Sequence, residues 1–142
     1  EIIFFKAYHW GTAPDVVNCY GDELREATIH RAVHYWAIRG ESFSGRIYSL
    51  TPEECDSIDP VGKIIIIKDE NIDKVDTLAS TQRHSRFVEI RWATIKVRPG
   101  SQNLELLMEH EIGHAIGYGH VEETGHIMNP SYENMGDKFW IP

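Results

Sequence analysis

The sequence predicts an α+β domain, and three stretches carry that prediction. Ile64-Ile65-Ile66-Ile67 is a run of four β-branched residues without alternation, the pattern of a strand buried on both faces. Ile29, Ala32, Val33, Trp36 and Ala37 recur at helical spacing between Asp22 and Gly40. A second helical stretch places Leu104, Leu107, Met108, Ile112 and Ala115 on one side and carries His110-Glu111-Ile112-Gly113-His114. The 142 residues suffice for one core and one domain, 1–142.

In order, residues 2–8 read as a mostly buried first strand, broken by His9-Trp10-Gly11-Thr12-Ala13-Pro14. A helix follows, with Asp22 as its cap, Glu23 and Glu26 at its positive end and Gly40 as its stop. Its His30 and His34 lie one turn apart, but no third ligand accompanies them, and packing or surface roles are the better reading. Residues 43–50 form a short strand, and Thr51-Pro52-Glu53-Glu54 starts a brief helical turn with proline in first position. Residues 63–68 are the strongest strand. In the loop after it Asp69, Asn71 and Asp73 match the first ligand positions of a calcium loop. Lys74 stands where glycine is needed and Ser80 where glutamate is, so a solvated acidic loop is the better reading and calcium the lesser one. Residues 77–82 and 87–97 read as a hairpin-like pair, Arg83 and Arg86 protecting its edge. The parity of Val88, Ile90 and Trp92 against Ile95 and Val97 calls for a bulge or a strand end near Ala93-Thr94. Ser101 or Asn103 caps the last helix.

Composition removes several classes of function. A net charge of −8 disfavours nucleic acid and anionic membrane as main partners. No apolar run approaches the roughly 20 residues of a membrane span. Glu1 is not an initiator methionine, so a processed or trimmed form is expected. Cys19 and Cys55 have no metal-type spacing; they read either as a pair joined in an oxidising compartment or as two buried thiols.

The chemistry concentrates in His110 to His120, H-E-x-x-H-x-x-G-x-x-H. On a helix His110 and His114 share a face one turn apart, and Glu111 projects from its flank. Gly117 permits the left-handed turn that ends the helix, and His120 returns as a third ligand. Three nitrogens with a fourth position left for water describe one catalytic zinc ion rather than a structural one. Met128 follows within Gly125-His126-Ile127-Met128-Asn129-Pro130.

The long zinc motif followed by a methionine turn resembles the metzincin metallopeptidases, nearest to their matrixin-like branch. The resemblance implies a zincin fold: a twisted mixed sheet with an antiparallel edge strand, a backing helix, an active-site helix and a short C-terminal subdomain. Residues 1–120 would be the N-terminal subdomain and 121–142 the C-terminal one, a catalytic domain secreted or extracellular in location. Glu111 would be the general base, and Met128 an apolar floor beneath the metal. Leu78, Ala79 and Ser80, with Thr81, are similar to the strand that borders the family's substrate cleft. Pro130-x-Tyr132 resembles the wall of the pocket for the residue after the cut, with Trp140 a further candidate. His126 is the rival for a ligand position, though a cleft-wall or supporting role fits it better.

The chain also departs from the family pattern. No cysteine-switch sequence and no second zinc set are visible, and the segment around Phe139-Trp140 stands where a C-terminal helix is usual. The expected partner is a peptide or protein substrate, cut internally. The alternatives are a narrow aminopeptidase or processing enzyme holding the free amine on Glu122 or Glu123, and a zinc-binding interaction module without turnover, for which Glu111 has no use.

Overall fold

Strands and helices are interspersed along the chain, the strands rich in β-branched residues and the helices carrying apolar residues at helical spacing. The computed structural model describes residues 6, 8–72 and 77–142. In order they form β1 (His9–Trp10), β2 (Asp15–Cys19), α1 (Glu26–Ala37), β3 (Ile47–Ser49), α2 (Pro52–Asp56), β4 (Lys63–Lys68), β5 (Ala79–Arg86), β6 (Glu89–Val97) and α3 (Leu107–Ala115). A single 3-10 turn, Tyr132–Asn134, follows. The first strand expected at residues 2–8 falls largely outside the described residues; β1 begins where a break was expected.

β4 is parallel to β2 on one side and to β6 on the other, as its unbroken isoleucines require. β3 extends the sheet parallel to β2, and β1 pairs parallel with the first residues of β6. β5 runs antiparallel to β6 along the side that β4 leaves free. The bulge lies earlier than the parity argument placed it. The register shifts between His84 and Ser85, opposite Trp92 and Ile90, and skips Arg91. Ile90 is therefore buried with Ala93, Ile95 and Val97, while Trp92 faces away and stacks on His84 at 4.5 Å.

β2 is a central strand that the sequence reading passed over. Val16 and Val17 are buried, but polar neighbours mask the pattern. Asp15 accepts from Ser44 Oγ (2.6 Å) and pairs with Arg46 (2.8 Å), and Asn18 Oδ1 accepts the amide of Tyr20 (2.8 Å). Cys19, closing β2, is bonded to Cys55 of α2, which settles the two readings of the cysteines. α2 opens with the expected proline and a full capping box between Thr51 and Glu54.

Both long helices start later than expected, for one shared reason. Asn103 does not cap α3; its Oδ1 accepts from the amide of Arg25 (3.1 Å) and from Thr28 Oγ1 (2.9 Å), capping α1 from a distance. Asp22 is thus not the cap of α1. α3 begins after Leu106, which adopts φ 68 and caps nothing with its side chain; Ser101 is buried in the preceding turns. Ile29, Ala32, Val33 and Trp36 bury the inner stripe of α1, whereas Ala37, His30 and His34 are exposed. Trp36 is fully buried, donates from Nε1 to the Glu109 carbonyl (2.7 Å), and stacks on Tyr118 with ring centres 5.1 Å apart. Aromatic contacts of this kind add about 0.5–1.5 kcal/mol beyond burial. Phe139 meets Trp36 edge-on at 5.0 Å, so the C-terminal segment closes the same core without a long helix. In the acidic loop Asp69 accepts the amide of Asn71 (2.9 Å), and Asp73 lies outside the described residues.

Candidate metal centre and substrate cleft

α3 delivers His110 and His114 to one spot because they are four residues apart on a helix anchored by Leu107, Met108 and Ile112. The helix then ends in a Schellman arrangement: Tyr118 N–H donates to the Gly113 carbonyl (2.9 Å) and Gly117 N–H to that of His114 (3.0 Å). Gly117 has φ +119, and a Cβ there would collide with the Tyr8 carbonyl oxygen. No other residue type fits both demands, and the turn brings His120 back beside the first two histidines.

The three imidazoles present a convergent donor set. His110 Nδ1–H donates to the Ile127 carbonyl (2.7 Å) and His114 Nδ1–H to that of Tyr118 (2.8 Å). Those bonds fix the tautomer and leave both Nε2 atoms as bare lone pairs. His114 Nε2 lies 3.1 Å from His110 Nε2 and 3.1 Å from His120 Nε2. Lone pairs facing each other at that distance repel unless a cation lies between them. Nitrogens at about 2.0–2.1 Å from a tetrahedral zinc stand roughly 3.3 Å apart, so the donor set fits that ion. Burial pushes the pKa of His110 down to about 4 and that of His114 down to about 3, keeping both neutral and ready to bind metal.

Glu111 is buried beside the triad, its Oε2 4.0 Å from His110 Nε2. Burial raises its pKa to about 7, against the lowering effect of a hydrogen bond from Thr81 Oγ1 to its Oε1 (2.8 Å). Thr81 was only the tail of the predicted strand stretch. Alternation along β5 puts it on the same side as Ala79, which is the signal that could have singled it out.

Met128 is fully buried under α3, where it reaches Gly113: a Cβ on that glycine would stand 2.5 Å from Met128 Sδ and 2.7 Å from Trp36 Cζ2. His126 is neither a ligand nor a cleft wall. It is fully buried; its Nδ1 accepts the amide of Met128 (2.9 Å) and its Nε2 donates to the Trp140 carbonyl (2.9 Å). Both nitrogens are spent fastening the methionine turn to the C-terminal segment.

A cleft of about 510 Å³ runs past the triad. Leu78, Ala79, Ser80, Pro130 and Tyr132 all line it, so the predicted substrate residues share one cavity. Tyr132 is held by a hydrogen bond from its hydroxyl to the Glu105 carbonyl (2.7 Å). Leu107, Arg83 and Met135 also line the cleft and were not singled out from sequence. Trp140 is not part of the lining; its ring packs edge-on against His126, 4.6 Å between centres. Glu122 and Glu123 are exposed and also outside it.

Among the described residues no helix is long and apolar enough to cross a membrane. No curated protein matches the chain. Residues 74–141 match the family model described as Matrixin, a span that takes in α3, all three histidines and Met128, and over these residues the chain is similar to the matrixins.

Proposed function

We propose that this chain is a zinc-dependent endopeptidase whose metal is held by His110, His114 and His120 and whose general base is Glu111. The observation that carries the reading is the convergence of three neutral imidazoles beside a buried carboxylate whose pKa is raised to about 7. A zinc ion, when bound, supplies Lewis acidity and lowers the pKa of water toward neutrality. Glu111 takes the proton of the attacking water and passes one to the leaving amine, and its burial favours holding that proton between the two transfers. Thr81 holds the carboxylate in position. Met128 floors the site as an apolar contact, since thioether is a poor zinc ligand.

The substrate lies extended against Leu78, Ala79 and Ser80, adding a strand to β5, whose outer edge has no strand partner among the described residues. The residue after the cut enters the pocket walled by Pro130 and Tyr132. The described elements act as one catalytic domain, with residues 121–142 as its short C-terminal part. The Cys19–Cys55 bond supports work in an oxidising, extracellular setting.

A cleavage map on a mixed peptide library, with Glu111→Ala beside the parent chain, tests the reading. Internal cuts that disappear in Glu111→Ala are expected. Terminal trimming alone would make the protein an exopeptidase, and the absence of cuts would make it a zinc-binding module.

A further inference from the structure

The sheet edge continues past the zinc site, and its chemistry changes there. Arg83 stands two residues beyond Thr81 on β5, about 7 Å further along at roughly 3.4 Å per residue. Its guanidinium is fixed: Nη1 donates to the His114 carbonyl (2.8 Å), and the group lies over the Tyr8 ring at 4.8 Å. Its Nε is buried with no acceptor. Beside it a groove of about 560 Å³ is lined by Arg83, Arg86 and Arg91 together with Ser85 and the stacked rings of His84 and Trp92. Arg91 has Glu89 at 3.9 Å; among the described residues neither Arg83 nor Arg86 has a carboxylate within 4.0 Å. In a chain with 22 acidic and 14 basic residues, a cluster of three arginines with two left without an acid partner is a local reversal of sign.

The direction of the cleft follows from α3. Tyr132 is tied to Glu105, before the start of α3, and Arg83 to His114 near its end. The pocket walled by Tyr132 and the Arg83 guanidinium therefore lie toward opposite ends of α3. A substrate whose following residue fills the first must carry its preceding residues toward the second.

We propose that Arg83, with Arg86 and Arg91 beyond it, forms an anion-recognition subsite that selects peptides with aspartate or glutamate about two to five residues before the scissile bond. The assignment rests on the endopeptidase reading for its orientation. Guanidinium groups held in place match carboxylates with little loss of freedom on binding.

The test uses the zinc-loaded chain and a matched peptide series bearing glutamate, glutamine or lysine at each of those positions. Glutamate should exceed lysine about 10-fold in kcat/KM, with the gap narrowing at high salt. Arg83→Gln should shrink the ratio, and Arg83→Glu with Arg86→Glu should invert it in favour of lysine. A merely structural arginine would slow all peptides alike and leave the ratio untouched, which overturns the subsite. Zinc content reports whether each variant folds. If the parent chain cuts nothing, the endopeptidase reading falls alone, and anisotropy with the same peptides on the zinc-loaded chain reads the preference directly. Equal binding of the glutamate and lysine peptides would then refute the subsite.

Discussion

Thr81 Oγ1 donates a 2.8 Å hydrogen bond to Glu111 Oε1, joining the strand that borders the cleft to the buried carboxylate beside the histidine triad. The bond favours the ionised carboxylate, so it opposes the rise in pKa that burial causes. Thr81→Val removes the donor while keeping the shape. The acidic limb of the kcat/KM profile should move to higher pH, and Thr81→Ser should restore it. An unmoved limb in Thr81→Val would separate the carboxylate from that limb.

Gly113 allows Met128 and Trp36 to meet beneath the helix. In Gly113→Ala the new methyl presses on a sulfur and an indole ring that are both fully buried. Overpacking of this kind costs about 1–3 kcal/mol. Urea unfolding of the metal-loaded variant should show that loss; unchanged stability would mean the methionine turn is loosely seated.

The Cys19–Cys55 bond closes a loop of sequence separation 36. On the chain-entropy model, removing it costs about 4 kcal/mol. The Cys19→Ala/Cys55→Ala variant should unfold at lower denaturant than the parent, and equal midpoints would show that the bond contributes nothing.

Much of the candidate site was legible because its geometry is local. His110 and His114 are one helical turn apart whatever surrounds them, and Gly117 is demanded by the backbone turn that returns His120. What the sequence hid depends on distant partners. Nothing local says that Asn103 caps α1 and leaves α3 to start after Leu106. β2 escaped notice because Asp15 and Asn18 interrupt its apolar pattern, their side chains being satisfied by Ser44, Arg46 and the Tyr20 amide. The bulge was visible as a parity clash, but only pairing with β5 fixes it at Arg91. His126 looks like a spare ligand until its two nitrogens are traced to Met128 and Trp140.

The metal-free chain should lose stability as pH falls from about 6.5. His110 and His114 have pKa values held below the ordinary one by burial, so the unfolded chain takes up protons first. Their contribution is fully present above the unfolded pKa and is lost as pH falls toward their folded values of about 4 and about 3. One such histidine gives a slope of about 1.4 kcal/mol per pH unit. Glu111, raised from 4.5 to about 7, gains stability as pH falls through that window and offsets about one of the two. The net loss there is therefore near one histidine's slope and steepens below it. Chemical denaturation in chelator across pH 7 to 4 reads the slope; a flat profile would contradict the burial of the triad.

Zinc affinity of the parent chain set beside His120→Ala and His126→Ala separates the ligand histidines from the one that fastens the methionine turn. One tightly bound zinc is expected in the parent, a strong loss of affinity in His120→Ala, and retained metal with reduced stability in His126→Ala. Undiminished zinc affinity in His120→Ala would contradict the proposed ligand set.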